Sequence, residues 1–118
     1  MFHAAIAGTG RAVPAKLLTN ADLETLVETS DEWITTRTGI RERHQAADGE
    51  ALSDFCVDAA KQALEGSGLQ ARDLDAVLIA TVTPDQPIPA MACLVQQKLV
   101  AKRAAAWDQN AGCSGWLY

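Results

Sequence analysis

The residue best suited to do chemistry in this 118-residue chain is Cys113. It lies in the run Trp107-Asp108-Gln109-Asn110-Ala111-Gly112-Cys113-Ser114-Gly115-Trp116, behind the apolar residues Ala104 to Trp107 and a tight turn of small side chains. A cysteine between a strand end and a helix start meets the free N–H groups and positive end of that helix, which favours thiolate. Small neighbours let substrate and backbone donors come close. The same residues also fit a buried structural cysteine in a turn, and local chemistry leaves both readings open. A second candidate is the pair Trp33 and Arg37, four apart on one helix face. An indole and a guanidinium so placed can stack on a nucleobase and hold a phosphate. They also fit a half-buried tryptophan covered by the arginine stem, and spacing alone favours that reading. Gly8-Thr9-Gly10 invites a dinucleotide-binding reading, but the third glycine position is Val13, and Pro14 stands where the helix should begin. A close turn suits these glycines better. His44 alone reads as a surface or hydrogen-bonding histidine.

The elements that must position these residues follow from periodicity. Phe2 to Ala7 is an apolar run expected as a buried strand. Thr19 caps a short helix, with Asp22 returning a bond to the cap and Leu23, Leu26 and Val27 sharing a face. Ser30 caps a second helix, Asp31 to Thr38, which stops at Gly39. Residues 40–44 are expected to be extended and exposed, and Asp48-Gly49-Glu50 is a turn. Residues 51–65 carry an apolar stripe of Leu52, Phe55, Cys56, Ala59, Ala60, Ala63 and Leu64, which predicts a helix ended by Gly66-Ser67-Gly68. Cys56 on that stripe is expected to pack in the core. Residues 76–82 form an unbroken apolar run, expected as a strand covered on both faces. A proline-rich loop, 83–89, follows. Pro89 to Val100 is expected as a helix with Met91, Leu94, Val95 and Leu99 inward and Cys93 packed. Residues 104–107 form the last strand. The order is that of one α/β domain, 1–118, with a mixed, mostly parallel sheet and covering helices.

Composition narrows the function classes. A net charge of −5 with no run of Lys or Arg argues against nucleic-acid binding. No apolar stretch approaches the roughly 18 residues of a membrane span. Three cysteines without a C-x-x-C pair argue against a disulfide framework and a zinc site, and no metal is expected. The same cysteine pattern argues for a reducing compartment, and a cytoplasmic location is expected; the N-terminus lacks the basic start of a signal peptide and reads as a strand.

Longer segments carry a resemblance. The stretch from Thr29 to Arg43, Thr-Ser-Asp-Glu-Trp-Ile-Thr-Thr-Arg-Thr-Gly-Ile-Arg-Glu-Arg, resembles the signature of β-ketoacyl-acyl-carrier-protein synthase III. Gly8-Thr9-Gly10, Thr19-Asn20-Ala21-Asp22-Leu23, Ala92-Cys93-Leu94-Val95-Gln96 and Asn110-Ala111-Gly112-Cys113-Ser114-Gly115 agree in the expected order. The resemblance implies a thiolase-like fold, of which this chain would be the N-terminal half. It implies that Cys113 takes an acyl group from acyl-CoA, and that malonyl-acyl-carrier-protein then condenses with it, losing CO2. Trp33 matches the position that stacks on the adenine of coenzyme A, Arg37 a phosphate-contacting position, and Thr29 a nearby hydrogen-bonding one. The Cys113 backbone N–H would serve an oxyanion hole. No cofactor is held permanently, coenzyme A thioester being the substrate, and the full-length form would be a homodimer.

Some features depart from the family. Members are much longer, and their duplicated second half carries a catalytic His and Asn that neither His3 nor His44 matches. Taken alone, these residues are expected not to condense. Gln109 stands at a usually apolar position, and Gly112 replaces a more usual alanine, which is expected to loosen the turn. Ile88 lies in a loop that, by the resemblance, borders the acyl pocket and dimer interface, so the acyl preference stays open. A starter-unit or secondary-metabolite condensing enzyme, or an acyltransferase relative, would share every motif. A non-catalytic assembly piece is the alternative of another class.

Overall fold

The computed structural model describes residues 3–118. They divide into Val13–Glu50 and a second unit in which the segment up to Ala12 joins Ala51–Tyr118.

Within Val13–Glu50, strand β1 (Lys16–Thr19) pairs antiparallel with β2 (Glu42–Gln45), Lys16 opposite Gln45 and Thr19 opposite Glu42. Thr19 then opens helix α1 (Asn20–Glu24) with a complete capping box. Its hydroxyl accepts the Asp22 N–H at 3.2 Å, and the Asp22 carboxylate accepts the Thr19 N–H at 2.8 Å. The Thr19 hydroxyl also donates to the Asp22 carboxylate at 2.7 Å, and this bond, with the one from the Thr19 N–H, holds the Asp22 carboxyl below its ordinary value. The helix is one residue past a single turn, so Leu26 and Val27 fall beyond it and are exposed instead of sharing an inward face. Helix α2 (Asp31–Thr38) has the expected bounds. The Ser30 hydroxyl accepts the Trp33 N–H at 3.0 Å, and Gly39 is the C-cap.

In the other unit, helix α3 (Leu52–Ser67) leads to strand β3 (Ala76–Ala80), helix α4 (Met91–Leu99) and strand β4 (Ala105–Gln109). β3 and β4 run parallel, Ala76 opposite Ala105 and Ala80 opposite Gln109. Parallel neighbours need a crossover, and α4 is that crossover. The core is built from small side chains: Val57 of α3, Val77 of β3, Ala92 and Val95 of α4, with Ala101 and Ala104. Cys56 packs against this cluster as expected. Neither α3 nor α4 has a side-chain cap of its own, since Ala51 and Ala90 hold the cap positions. Carboxylates from elsewhere fill the role. Asp85 accepts the Ser53 N–H at 3.2 Å, and Asp108 of β4 accepts the N–H groups of Met91 and Ala92 at 2.8 and 2.7 Å. Lys98 ties α4 to α3 by donating to Ser53 Oγ at 2.7 Å and Asp54 Oδ1 at 2.6 Å.

Several expectations need correction. Residues 3–12 form no strand, and Phe2 lies outside the described residues. A strand exists only through a ladder partner, and none of the described residues pairs with this segment. Gly8 and Gly10 instead press their backbone against α3. A Cβ on them would stand 2.2 Å from the Ala63 carbonyl oxygen and 2.0 Å from that of Ala59. β3 ends at Ala80, not Val82, and only one of its faces is covered. Val77 is buried, whereas Leu78 is 47% exposed opposite the similarly open Trp107. An unbroken apolar run does not by itself say how many faces have partners. Helix α4 starts at Met91, leaving Pro89 before it in the loop.

Candidate active site

Of the three cysteines, Cys113 alone is exposed. β4 ends at Gln109, and Cys113 follows as the second residue of a short 3-10 helix, Gly112–Trp116. The cysteine is therefore inside a tight helical turn, not in front of an α-helix as expected. Gly112 has φ +54°, a left-handed conformation that glycine takes without strain, so it fits the bend between β4 and Cys113. Gly115 is buried in the same turn, where an added Cβ would stand 3.1 Å from Ala80 Cβ at the end of β3. The other two thiols are poorly placed for chemistry. Burial pushes the Cys56 thiol up, and the Asp85 carboxylate adds to that, which disfavours thiolate. Cys93 is half-buried on α4, with its Sγ 4.0 Å from the Ala106 carbonyl oxygen.

The second candidate lies on α2. Trp33 is 55% exposed with Arg37 over its ring, which agrees with the arginine-covered tryptophan that spacing favours. The Arg37 guanidinium carbon stands 5.0 Å from the centre of its ring, a cation–π contact across one helical turn. An indole has two faces. Arg37 takes part of one, and the exposure leaves ring surface for a flat partner. Around the ring lie open recesses. One, of about 510 Å³, is lined by Val27, Glu28, Thr29, Ser30 and Trp33. Another, of about 340 Å³, is lined by Ser30, Glu32, Trp33, Thr36 and Arg37. Thr29 thus lines the same recess as Trp33, while Cys113 belongs to the other unit.

The histidines take no part in either group. His3 is exposed, and His44 Nδ1 lies 2.6 Å from the Pro14 carbonyl oxygen, the hydrogen-bonding role anticipated for it. No cluster of three or more His, Cys, Asp or Glu side chains suited to a metal ion occurs among the described residues. No helix among them is long and apolar enough to cross a membrane.

Sequence reasoning treated Asn20 only as part of a matching segment. The structure makes it the most connected polar side chain of Val13–Glu50. It is 2% exposed, its amide nitrogen lies 2.7 Å from Asp31 Oδ1 and 2.9 Å from the Ile40 carbonyl oxygen, and its oxygen accepts from Arg43. The available signal was an asparagine directly behind an N-cap, where a solvent-facing residue is the ordinary expectation.

No protein-family model matches the chain. Among curated proteins it is 55% identical over 115 residues to a β-ketoacyl-[acyl-carrier-protein] synthase III of Geobacillus kaustophilus, a match over 98% of this chain and 37% of that protein. Among solved structures, the 3-oxoacyl-[acyl-carrier-protein] synthase III of Aquifex aeolicus superposes with a TM-score of 0.91 at 50% identity, covering 96% of this chain and 36% of that one. The priming β-ketosynthase of the R1128 polyketide biosynthetic pathway superposes with a TM-score of 0.88 at 32% identity, covering 93% of this chain and 33% of that one. The fold is that of the synthase III structures, and the chain spans about a third of the length of the relatives it matches.

Proposed function

We propose, from homology to β-ketoacyl-[acyl-carrier-protein] synthase III over 98% of the chain, that these residues are the N-terminal part of a condensing acyltransferase that begins fatty-acid synthesis. That identity carries the reading, and the exposure of Cys113 and Trp33 is consistent with it. Trp33 offers its free ring surface to the adenine of coenzyme A, Arg37 pairs with a phosphate, and Thr29 adds a hydrogen bond.

The Cys113 thiolate attacks the thioester carbonyl of acyl-CoA. The bond from that carbonyl to the coenzyme A sulfur breaks, the departing thiolate takes up a proton, and the acyl group stays on Cys113. The Cys113 N–H donates to the oxygen that carries charge in the tetrahedral intermediate. Loss of CO2 from malonyl-acyl-carrier-protein leaves a carbanion that attacks the Cys113 thioester and expels the cysteine thiolate, giving the β-ketoacyl product. Covalent capture splits one hard condensation into two easier steps. The second step needs the His and Asn of the second half, so the 118 residues alone do not condense. The whole enzyme works as a cytoplasmic homodimer, without a metal or a permanently held cofactor.

A second reading draws on the polyketide priming enzyme matched at 32% identity. In it the same Cys113 chemistry loads a starter unit for a secondary metabolite.

Intact-mass measurement after incubation with acetyl-CoA and longer acyl-CoAs tests both readings. The chain is used alone and together with the remaining part of the Geobacillus kaustophilus relative. We expect a gain of one acyl group in the combined sample that vanishes in Cys113→Ala, and the preferred acyl chain separates the two pathways. No gain in a folded, associated sample would sink the acyl-transfer reading.

A further inference from the structure

We infer that Asn20 is a positioning residue for nucleotide binding: it grips helix α2 from behind and so sets the orientation of Trp33 and Arg37. This rests on the proposed reading of those two side chains as the coenzyme A contact.

The geometry starts from a helix that cannot hold itself. α2 has eight residues, too few to be stable without outside anchors, and Ile34 is its one buried apolar side chain. Asn20 lies outside α2 and bonds to both of its ends. Its amide nitrogen lies 2.7 Å from Asp31 Oδ1 in the first turn, 3.3 Å from Thr35 Oγ1, and 2.9 Å from the Ile40 carbonyl oxygen just past the Gly39 cap. Asp31 and Thr35 are four residues apart, so they share a face, and the Thr35 hydroxyl also donates to Asp31 at 3.2 Å. Trp33 and Arg37 are each two residues further on. At about 100° per residue, they project from the opposite face. Asn20 thus grips one side of α2 while the other presents the indole and guanidinium.

The amide is suited to this in a way few side chains are. Its nitrogen meets a carboxylate and a carbonyl, both acceptors, while its oxygen meets the Arg43 guanidinium, a donor. Its own backbone N–H donates to the Arg41 carbonyl at 3.2 Å, anchoring the grip to the segment leading into β2. The bond from Asn20 is also the largest cause holding the Asp31 carboxyl below its ordinary value. An aspartate at position 20 would set two carboxylates against each other. An alanine would leave Asp31 and Arg43 without this partner.

The test measures the dissociation constant for coenzyme A by calorimetry on the 118-residue chain, in wild type, Asn20→Ala, Trp33→Ala and the double variant. Asn20→Ala is expected to weaken binding roughly tenfold, the scale of one or two well-aligned contacts. In the Trp33→Ala background the same change should cost clearly less than in wild type, because only the Arg37 contact then remains for Asn20 to set. Iodoacetamide alkylation of Cys113 should stay within about twofold of wild type, since a general loss of structure would move both readouts. Unchanged affinity in Asn20→Ala, or losses that simply add in the double variant, overturns the inference and leaves the coenzyme A reading standing. If wild type does not bind coenzyme A, or Trp33→Ala binds as well as wild type, that reading falls and the inference with it. Should hydrogen exchange show Lys16–Gln45 unfolded in Asn20→Ala, Asn20→Asp is read instead, since it keeps the volume and the Arg43 contact. It should weaken binding with β1–β2 protection retained, and undiminished binding overturns the inference.

Discussion

Residues 13–50 and the unit containing residues 51–118 are held together by different means. In the first, Ile34 is the one buried apolar side chain among the described residues, and the connections run through the amide of Asn20. In the second, Val57, Val77, Ala92, Val95, Ala101 and Ala104 form a shared apolar core, and polar groups act at its edges as helix caps. Hydrogen bonds are directional, so a unit built on one hub is well defined yet depends on a single residue. Apolar contact is non-directional and spread over many atoms, so a core loses stability in smaller portions. The candidate coenzyme A contact sits on the first kind of unit and the candidate nucleophile on the second.

The largest expected effect comes from removing the hub. Asn20→Ala should lower the local stability of α2 by about 3 kcal/mol, the scale of losing several hydrogen bonds of one buried amide, read as faster amide exchange there. Exchange in α4 should not change, and equal loss in both would erase the contrast between the units. Next comes Val95→Ala, expected to cost about 2 kcal/mol in α4 and β3 protection while α2 keeps its own. Asp108→Ala removes the carboxylate that caps α4 from β4 and should cost about 1 kcal/mol, most visible in the first turn of α4. The smallest effect is a pH dependence. Asp22 and Asp31 have carboxyls held below the ordinary 3.8, so their contribution is present above that value and is lost as pH falls through the lower folded-state one. Protection in α2 should therefore decline below about pH 4 and do so less in Asp31→Asn. A decline already complete at neutral pH would contradict the assignment.

Local signals were legible where a residue acts on its near neighbours. Thr19 with Asp22, Ser30 ahead of α2 and Gly39 after it appear as their spacing predicts, and α3 is helical as its apolar stripe predicts, although its buried residues are Ser53 and Val57, outside that stripe. What escaped depends on distant partners. β1 is four residues long, too short to show a period, and exists because it pairs with β2, whose extended course over 40–44 was legible. Asp85 and Asp108 cap helices far from them in sequence, which no capping pattern encodes. The apolar run of β3 suggests two covered faces, whereas Leu78 and Trp107 have open surface. At the candidate site, the segments around Trp33 and Cys113 were legible because each is contiguous. Asn20 was not, because its role comes from Asp31, Ile40 and Arg43, which only folding brings to it.

The most direct test of the functional account is the acyl-CoA concentration dependence of acylation, in wild type and Trp33→Ala, with the modified peptide identified by mass spectrometry. The chain would be combined with the remaining part of the Geobacillus kaustophilus relative. The acyl group is expected on the peptide carrying Cys113, with a half-saturating concentration about tenfold higher in Trp33→Ala and a saturating rate within about twofold of wild type. Acyl groups on Cys56 or Cys93, or a collapsed saturating rate at unchanged half-saturation, would contradict it.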